Sequence, residues 1–355
     1  MNGEVNERMR YVGVDISKRK CRAAFIDGNG EVVDEFSFRN DFVGISRFLS
    51  RLSMGDRVVM ESTGNLWVNL YDALEERGFS VVLANPLKMK AIASAKIKND
   101  KVDARILAYL LRGDLVAESY VPPREVRDLR ALVRYRASLV RTRTAIKNRV
   151  HSLLDRYGLK HGFSDLFGKA GLEWLRSLEL SPLDRLILDS HIEHIECLNR
   201  LIRNVEGEIN RRASMDEDVR LLLSLTGVGV YTALLIKSEI GDIRRFPNYK
   251  KLVSWAGLAP SLHQSGSIER HGRITKQGSR LLRWVMVEAA RTAVRYDCRL
   301  RAFYERVRRR RGDQKAIVAV AAKMLKIIWF MLTRGEPYES RDVRLYGRKL
   351  NRLVC

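Results

Sequence analysis

Apolar and polar positions change their period along this chain. Between Tyr11 and Phe38 the apolar residues fall in short runs with polar breaks, the spacing of strands. Tyr11–Ile16 reads as one strand and Cys21–Asp27 as a second. A Gly28-Asn29-Gly30 turn leads into Glu31–Phe38, so the last two runs form a hairpin. A helix over Phe42–Leu52, a strand over Arg57–Glu61, a helix over Leu66–Arg77 and a strand over Ser80–Ala84 follow, and Pro86–Ile97 begins another helix. Strands followed by alternating helices and strands predict an α/β domain.

The period then becomes that of long helices. Leu129, Val133, Val140, Val150 and Leu153 lie near heptad spacing, as do Leu188, Ile192, Ile195, Ile202, Val205 and Ile209. The pattern predicts an antiparallel helical hairpin or dimeric coiled coil, with Tyr157–Pro182 as linker. Arg124, Arg127, Arg130, Arg134, Arg141 and Lys147 decorate the first helix, either as a phosphate track or as a solvated face. A third, mostly helical region starts near Asp218. The domains expected are therefore 1–115 (α/β), 116–215 (helical coiled coil) and 216–345 (helical).

Charge sharpens the picture. The chain has 355 residues and a formal net charge of +23. Residues 1–115 hold 18 basic and 16 acidic residues, whereas 116–355 hold 47 and 26. A basic remainder joined to a near-neutral domain favours a polyanionic partner, nucleic acid above all. Cys21, Cys197, Cys298 and Cys355 have no paired spacing, so reduced thiols of a cytosolic protein are expected. The chain does not open as a signal peptide. Ala316–Leu332 is broken by Lys323 and Lys326 and reads as an amphipathic helix, with no membrane partner.

Four acids are the candidate chemistry. Asp15 ends an apolar run, and so does Glu61; Asp100 and Asp103 are three apart and share a helix face. An acid at the end of a core strand is costly to bury unless it is paired or binds a cation. Four that converge suit magnesium, and two such ions can clamp the attacking and leaving oxygens of a phosphodiester. The bland alternative makes Asp100 a helix cap. Three antiparallel strands followed by βαβ units suit a ribonuclease H-like (RuvC-like) fold, which gathers acids from the first and fourth strands and a later helix on one edge.

Basic and glycine-rich segments supply further candidates. Thr226-Gly227-Val228-Gly229 resembles a helix-hairpin-helix turn, where Gly227 and Gly229 let backbone N–H groups approach a phosphate; the alternative is a tight interhelical turn. Ser265 precedes a glycine in a loop near Arg270, Arg273 and Lys276, a Ser-Gly turn on the bland reading. His263 and His271 flank it. Arg308, Arg309, Arg310 and Arg311 form a dense run suited to a nucleic-acid backbone. His191 and His194 read as a solvated helix face, and the five tryptophans, Trp284 among them, as core.

These pieces together carry a resemblance. Asp15, Glu61 and Lys98-Asn99-Asp100-Lys101-Val102-Asp103-Ala104 resemble the DEDD signature of a prokaryotic insertion-sequence transposase family whose recombinases use a structured bridge RNA. Thr226-Gly227-Val228-Gly229, Glu239-Ile240-Gly241-Asp242-Ile243-Arg244-Arg245-Phe246, Ala256-Gly257-Leu258-Ala259-Pro260, Ser265-Gly266 and Arg273-Ile274-Thr275-Lys276-Gln277-Gly278 are similar to that family's second domain and follow its order. The resemblance implies a composite site. The DEDD residues Asp15, Glu61, Asp100 and Asp103 would hold two Mg2+ ions, and Ser265 would attack the phosphodiester. The implied product is a covalent phosphoserine link to DNA, resolved by strand exchange. It further implies double-stranded DNA and a structured guide RNA as partners, a homodimer assembling to a tetramer, and a cytoplasmic, nucleoid-associated setting.

Three rivals remain open. A RuvC-like metal-dependent nuclease would use the acids with water and give Ser265 no role. A non-catalytic nucleic-acid-binding protein explains the charge but not the acids. A sugar-kinase-like ATPase also opens with Val12-Gly13-Val14-Asp15-Ile16, but needs a second glycine-rich phosphate loop that the sequence does not supply.

Overall fold

A computed structural model describes residues 9–61, 64–86, 88–89, 100–265 and 268–354; at 100–102, 262–265, 268–271, 352 and 354 it describes the backbone alone. Contacts divide the chain into two compact units, between Val121 and Pro122.

The first unit is a mixed α/β domain. Its strands are β1 (Tyr11–Asp15), β2 (Lys20–Ile26), β3 (Val32–Arg39), β4 (Arg57–Glu61) and β5 (Ser80–Ala84), in the order β3-β2-β1-β4-β5. β1, β2 and β3 pair antiparallel, while β4 runs parallel to both β1 and β5. This mixed sheet is consistent with a ribonuclease H-like domain. The β2–β3 turn forms because the Asp27 carboxylate accepts the backbone N–H groups of Asn29, Gly30 and Glu31 at 2.8–2.9 Å, which also lowers its pKa.

Helices α1 (Phe42–Leu49), α2 (Val68–Glu76) and α3 (Asp100–Arg112) cover the sheet. Alternation along the strands places Val12, Val14, Val58 and Met60 in one core with Ile45, Phe48, Leu70 and Leu74 of α1 and α2. Val59 and Ala84 pack instead with Leu107 and Leu111 of α3. The helix expected over Pro86–Ile97 falls largely outside the described residues.

Among the described residues the second unit is helical apart from one hairpin. It holds α4 (Arg124–Arg156), α5 (Lys169–Ser177), α6 (Pro182–Ser214), α7 (Glu217–Leu223), α8 (Val230–Ile240), α9 (Tyr249–Trp255), β6 (Pro260–Ser265), β7 (Ile268–Ile274), α10 (Arg280–Tyr296), α11 (Cys298–Arg311), α12 (Asp313–Arg334) and α13 (Val343–Val354). α6 starts where the sequence signals it, with Ser181 accepting the Asp184 N–H and Pro182 in the first turn. α4 and α6 are antiparallel: Arg136 meets Glu206, Arg143 meets Asn199, and Arg156 meets Asp184. Ile146, Val150 and Leu153 pack with Leu188, Ile192 and Ile195. At the other end Val133 and Ile209 join the core of the later helices. Part of the segment expected as linker is α5, whose Leu175 is fully buried in the α4–α6 core.

α12 is long and apolar enough to cross a membrane by length and composition. Its Ile317, Val320, Met324, Leu325 and Ile328 pack with Val285, Met286 and Ala290 of α10 in the core of the unit. Trp284, expected inside, is 49% exposed.

Candidate active site and nucleic-acid interface

The backbone positions all four acids. Asp15 ends β1 and Glu61 ends β4, and the two strands are parallel neighbours with Val14 opposite Met60. Asp15 shares parity with Gly13, and Glu61 with Val59, so both belong to the sheet face that α3 covers. α3 runs against β1: its Arg112 donates to the Gly28 carbonyl at the start of the β2–β3 turn, beside the N-terminal end of β1, while Ala104 meets Gly13. The first turn of α3, with Asp103 half-buried and Asp100 at its first position, therefore lies toward the Asp15 end. Asp100's side chain lies outside the described residues.

Gly13 makes this arrangement possible. A Cβ there would sit 2.1 Å from the Ala104 carbonyl oxygen and 2.5 Å from the Ala108 nitrogen. Only a glycine lets a helix backbone approach a strand this closely. Arg105 fixes the helix further by donating to Glu35 at 2.7 Å, and Arg22 approaches the same carboxylate. The thiol of Cys21, fully buried beside this edge, is pushed up to about 11 by burial, with the Asp15 charge adding to the effect.

The donor set is all carboxylate, which matches a hard divalent cation such as magnesium. Among the described residues no three His, Cys, Asp or Glu side chains stand close enough to hold a metal ion. The strands and α3 thus bring Asp15, Glu61 and Asp103 to one edge without closing them into a ligand cluster.

In the second unit Ser265 is not in a loop. It is the last residue of β6, paired with Ile268 of β7, two residues of chain apart. Arg270 sits across from His263 in the same ladder; the side chains of all four, and of His271, lie outside the described residues. Arg273 and Lys276 are exposed near the root. That root is built by two of the glycine motifs. A Cβ on Gly257 would lie 2.2 Å from the Gln277 carbonyl, and one on Gly278 would lie 2.2 Å from the Trp255 carbonyl; both glycines have positive φ. Lys276 N–H bonds the Gly257 carbonyl, Thr275 N–H bonds that of Ala259, and the Arg283 guanidinium bridges the Ala256, Gln277 and Gly278 carbonyls. Lys276 is itself held at φ +56, a left-handed conformation costly for a side-chain-bearing residue.

The remaining candidates separate. Gly227, at φ +86, lets its turn touch α10, since a Cβ would lie 2.3 Å from the Ala289 carbonyl. Gly229 caps α8 in the extended conformation and faces open space. Arg308, Arg309, Arg310 and Arg311 are exposed in the last turn of α11, where the helix dipole favours cations. The expected arginine track on α4 is partly spent inside the protein. Arg130 donates to the carbonyls of Ser238 and Glu239, Arg134 binds the buried Glu239 carboxylate through two N–H groups at 2.8 and 2.9 Å, and Lys147 lies over the Phe167 ring. Periodicity sees these cations on an outer face; it cannot see the Glu239 carboxylate, the carbonyls of α8 or the Phe167 ring that engage them.

Residues 12–159 match a family model described as Transposase, so the class is that of a DNA transposase. Residues 219–305 match a second model, described as Transposase IS116/IS110/IS902 family. The chain belongs to this IS110 family of insertion-sequence transposases. It is 31% identical over 345 residues to the transposase for insertion sequence element IS1111A of Coxiella burnetii, covering 93% of this chain and 91% of the relative. A probable family 20 transposase of Pseudomonas aeruginosa is 28% identical over 92% of this chain and 98% of its own length. The pilin gene-inverting protein of Moraxella bovis is 26% identical over 93% and 98%.

Proposed function

We propose that this transposase cuts and rejoins DNA through a covalent serine–DNA intermediate. The observation that carries the reading is the acidic edge: Asp15 and Glu61 end adjacent parallel strands on the face covered by α3, whose first turn brings Asp103 and Asp100 to the same end. In this reading residues 1–115 form a ribonuclease H-like catalytic domain, 116–215 a coiled-coil dimerisation region, and 216–345 the domain carrying the nucleophile.

Ser265 is the nucleophile on the resemblance, and its place at the end of a hairpin with a rigid root supports the role. Its Oγ forms a bond to the scissile phosphorus, its proton leaves to a base, and one sugar oxygen departs as a hydroxyl after taking up a proton. The phosphoserine ester keeps the energy of the broken bond. A second sugar hydroxyl then reverses the step on a new strand and frees Ser265, so no nucleotide cofactor is consumed. Magnesium on Asp15, Glu61, Asp100 and Asp103 would, when bound, neutralise charge on the phosphate and help ionise the nucleophile. Arg270, Arg273, Lys276, Gly227, Gly229 and Arg308–Arg311 contact the nucleic-acid backbone in this reading. A structured guide RNA selects the sites by base pairing, and a homodimer assembling to a tetramer holds two duplexes. The gene-inverting relative supports rejoining over simple hydrolysis.

The test is covalent trapping. Protein, its flanking RNA and labelled duplex DNA are incubated with magnesium and run on a denaturing gel, for wild type, Ser265→Ala and Asp15→Ala. A protein–DNA adduct made by wild type and lost in both variants supports the reading. Cleavage without an adduct, surviving Ser265→Ala but not Asp15→Ala, makes the protein a water-using nuclease and removes the serine role. Tight binding with neither product leaves a binding protein.

A further inference from the structure

A cleft of about 550 Å³ opens beside the root of the Ser265 hairpin, between α9, the Leu258-Ala259-Pro260 segment, α11 and α12. Its volume falls in the range of small-molecule sites. The wall is aromatic and aliphatic: Tyr249, Phe303 and Phe330 are all half-buried, over Val253 and Ile327. The rim is cationic, with Lys250, Lys323 and Lys326. None of these three lysines pairs with a carboxylate among the described residues. The Lys323 ammonium lies 4.4 Å from the Phe303 ring centre, and the Lys326 ammonium 4.6 Å from that of Tyr249. Burial, and then the repulsion of Arg306 and Lys326, hold the Lys323 pKa below its usual range against the weaker attraction of the Asp297 carboxylate.

Flat apolar rings inside a rim of unpaired cations match one kind of ligand, a planar base carrying a negative phosphate. We propose that this cleft binds an unstacked nucleotide of single-stranded DNA, adjacent to the strand that leads from Pro260 to Ser265. Base–aromatic stacking supplies sequence-tolerant affinity, and lysines resting on ring faces are ready to move to phosphates, which are stronger partners than a ring quadrupole. The cleft would hold a nucleotide displaced from the duplex near the exchange point. The proposal rests on the reading of this chain as a DNA strand-exchange enzyme.

The experiment measures binding of fluorescein-labelled oligo-dT and of a labelled duplex by anisotropy, with full-length wild type, Tyr249→Leu and Lys326→Ala. The expected result is an oligo-dT affinity about tenfold weaker in each variant, with duplex affinity and melting temperature unchanged. In parallel, an oligonucleotide carrying 5-iododeoxyuridine is photocrosslinked to the wild type, and the crosslink should map to Tyr249, Phe303 or Phe330. Oligo-dT affinity unchanged in both variants, with crosslinks elsewhere, overturns the proposal. Oligo-U bound more tightly than oligo-dT, with the same dependence on Tyr249, overturns the choice of DNA and assigns the cleft to RNA. Wild type that binds neither oligo-dT nor duplex refutes the DNA-acting reading itself, whereas duplex binding without an oligo-dT response refutes the cleft alone.

Discussion

Replacing Gly13 with alanine tests how the acidic edge is built. The new methyl group would stand 2.1 Å from the Ala104 carbonyl and 2.5 Å from the Ala108 nitrogen, against the 3.4 Å where ordinary contact begins. Both obstacles are backbone, so no side chain can swing away. α3 must retreat from β1 by about 1.3 Å, the difference between these distances. Leu107, Ala108 and Leu111, each no more than 6% exposed, then lose part of their packing against the sheet. Overpacking of this kind costs about 3 kcal/mol, and a displacement near 1 Å of catalytic groups costs about a hundredfold in rate. Hydrogen exchange read by mass spectrometry reports the first effect: α3 and β1 amides should lose protection while α4–α13 keep theirs. Strand cleavage reports the second. Unchanged protection in α3 together with unchanged cleavage would refute the close-approach argument and its link to Asp103.

Other outcomes follow from the same structure. Arg134→Ala leaves the buried Glu239 carboxylate short of its two-pronged partner and, with Arg134 half-exposed, should destabilise the second unit by about 2 kcal/mol; Arg134→Ala/Glu239→Gln should recover much of the loss in a thermal melt. Asp15→Asn should abolish cleavage and covalent trapping while duplex affinity in a mobility-shift assay stays unchanged. Converting Arg308 through Arg311 to alanine should lower the salt slope of DNA binding by about 3–4, read from affinities across a salt series. Cys21 should resist iodoacetamide at pH 9 while the exposed Cys298 reacts. Its folded pKa near 11 lies above the unfolded value near 9, so between them the unfolded thiol loses its proton and the folded one keeps it. Stability from this group is thus present below pH 9 and falls as pH rises to 11, measurable by urea titration across that window.

Much of the first unit was legible because β1, β2 and β4 bury residues on both faces and so read as apolar runs. β4 and β5 lie where expected, and β1 and α1 differ only at their ends. The C-terminal hairpin was not legible. Pro260–Ile274 carries polar and charged residues at most positions, so it shows no strand period; backbone bonds at its root make it a hairpin. α5 was missed because its nine residues, preceded by Gly168 and interrupted by Gly171, carry too little periodicity to outweigh the turn signals around them. Asp15 and Glu61 were visible as acids at strand ends, but their common face needed the register of β1 against β4.

By itself the sequence determined the elements of the sheet, the division of charge along the chain, the candidate acids and serine, and the family motifs that place it among transposases. Those properties are local, written in residue type and spacing. Tertiary structure alone decided which side of the sheet α3 covers, that Gly13 and Gly257 are where backbones touch, and that Arg130 and Arg134 turn inward to Glu239. It also decided that Tyr249, Phe303 and Phe330 line one cleft. These depend on contacts between residues far apart in the chain, and no periodicity along the chain encodes which surfaces will meet.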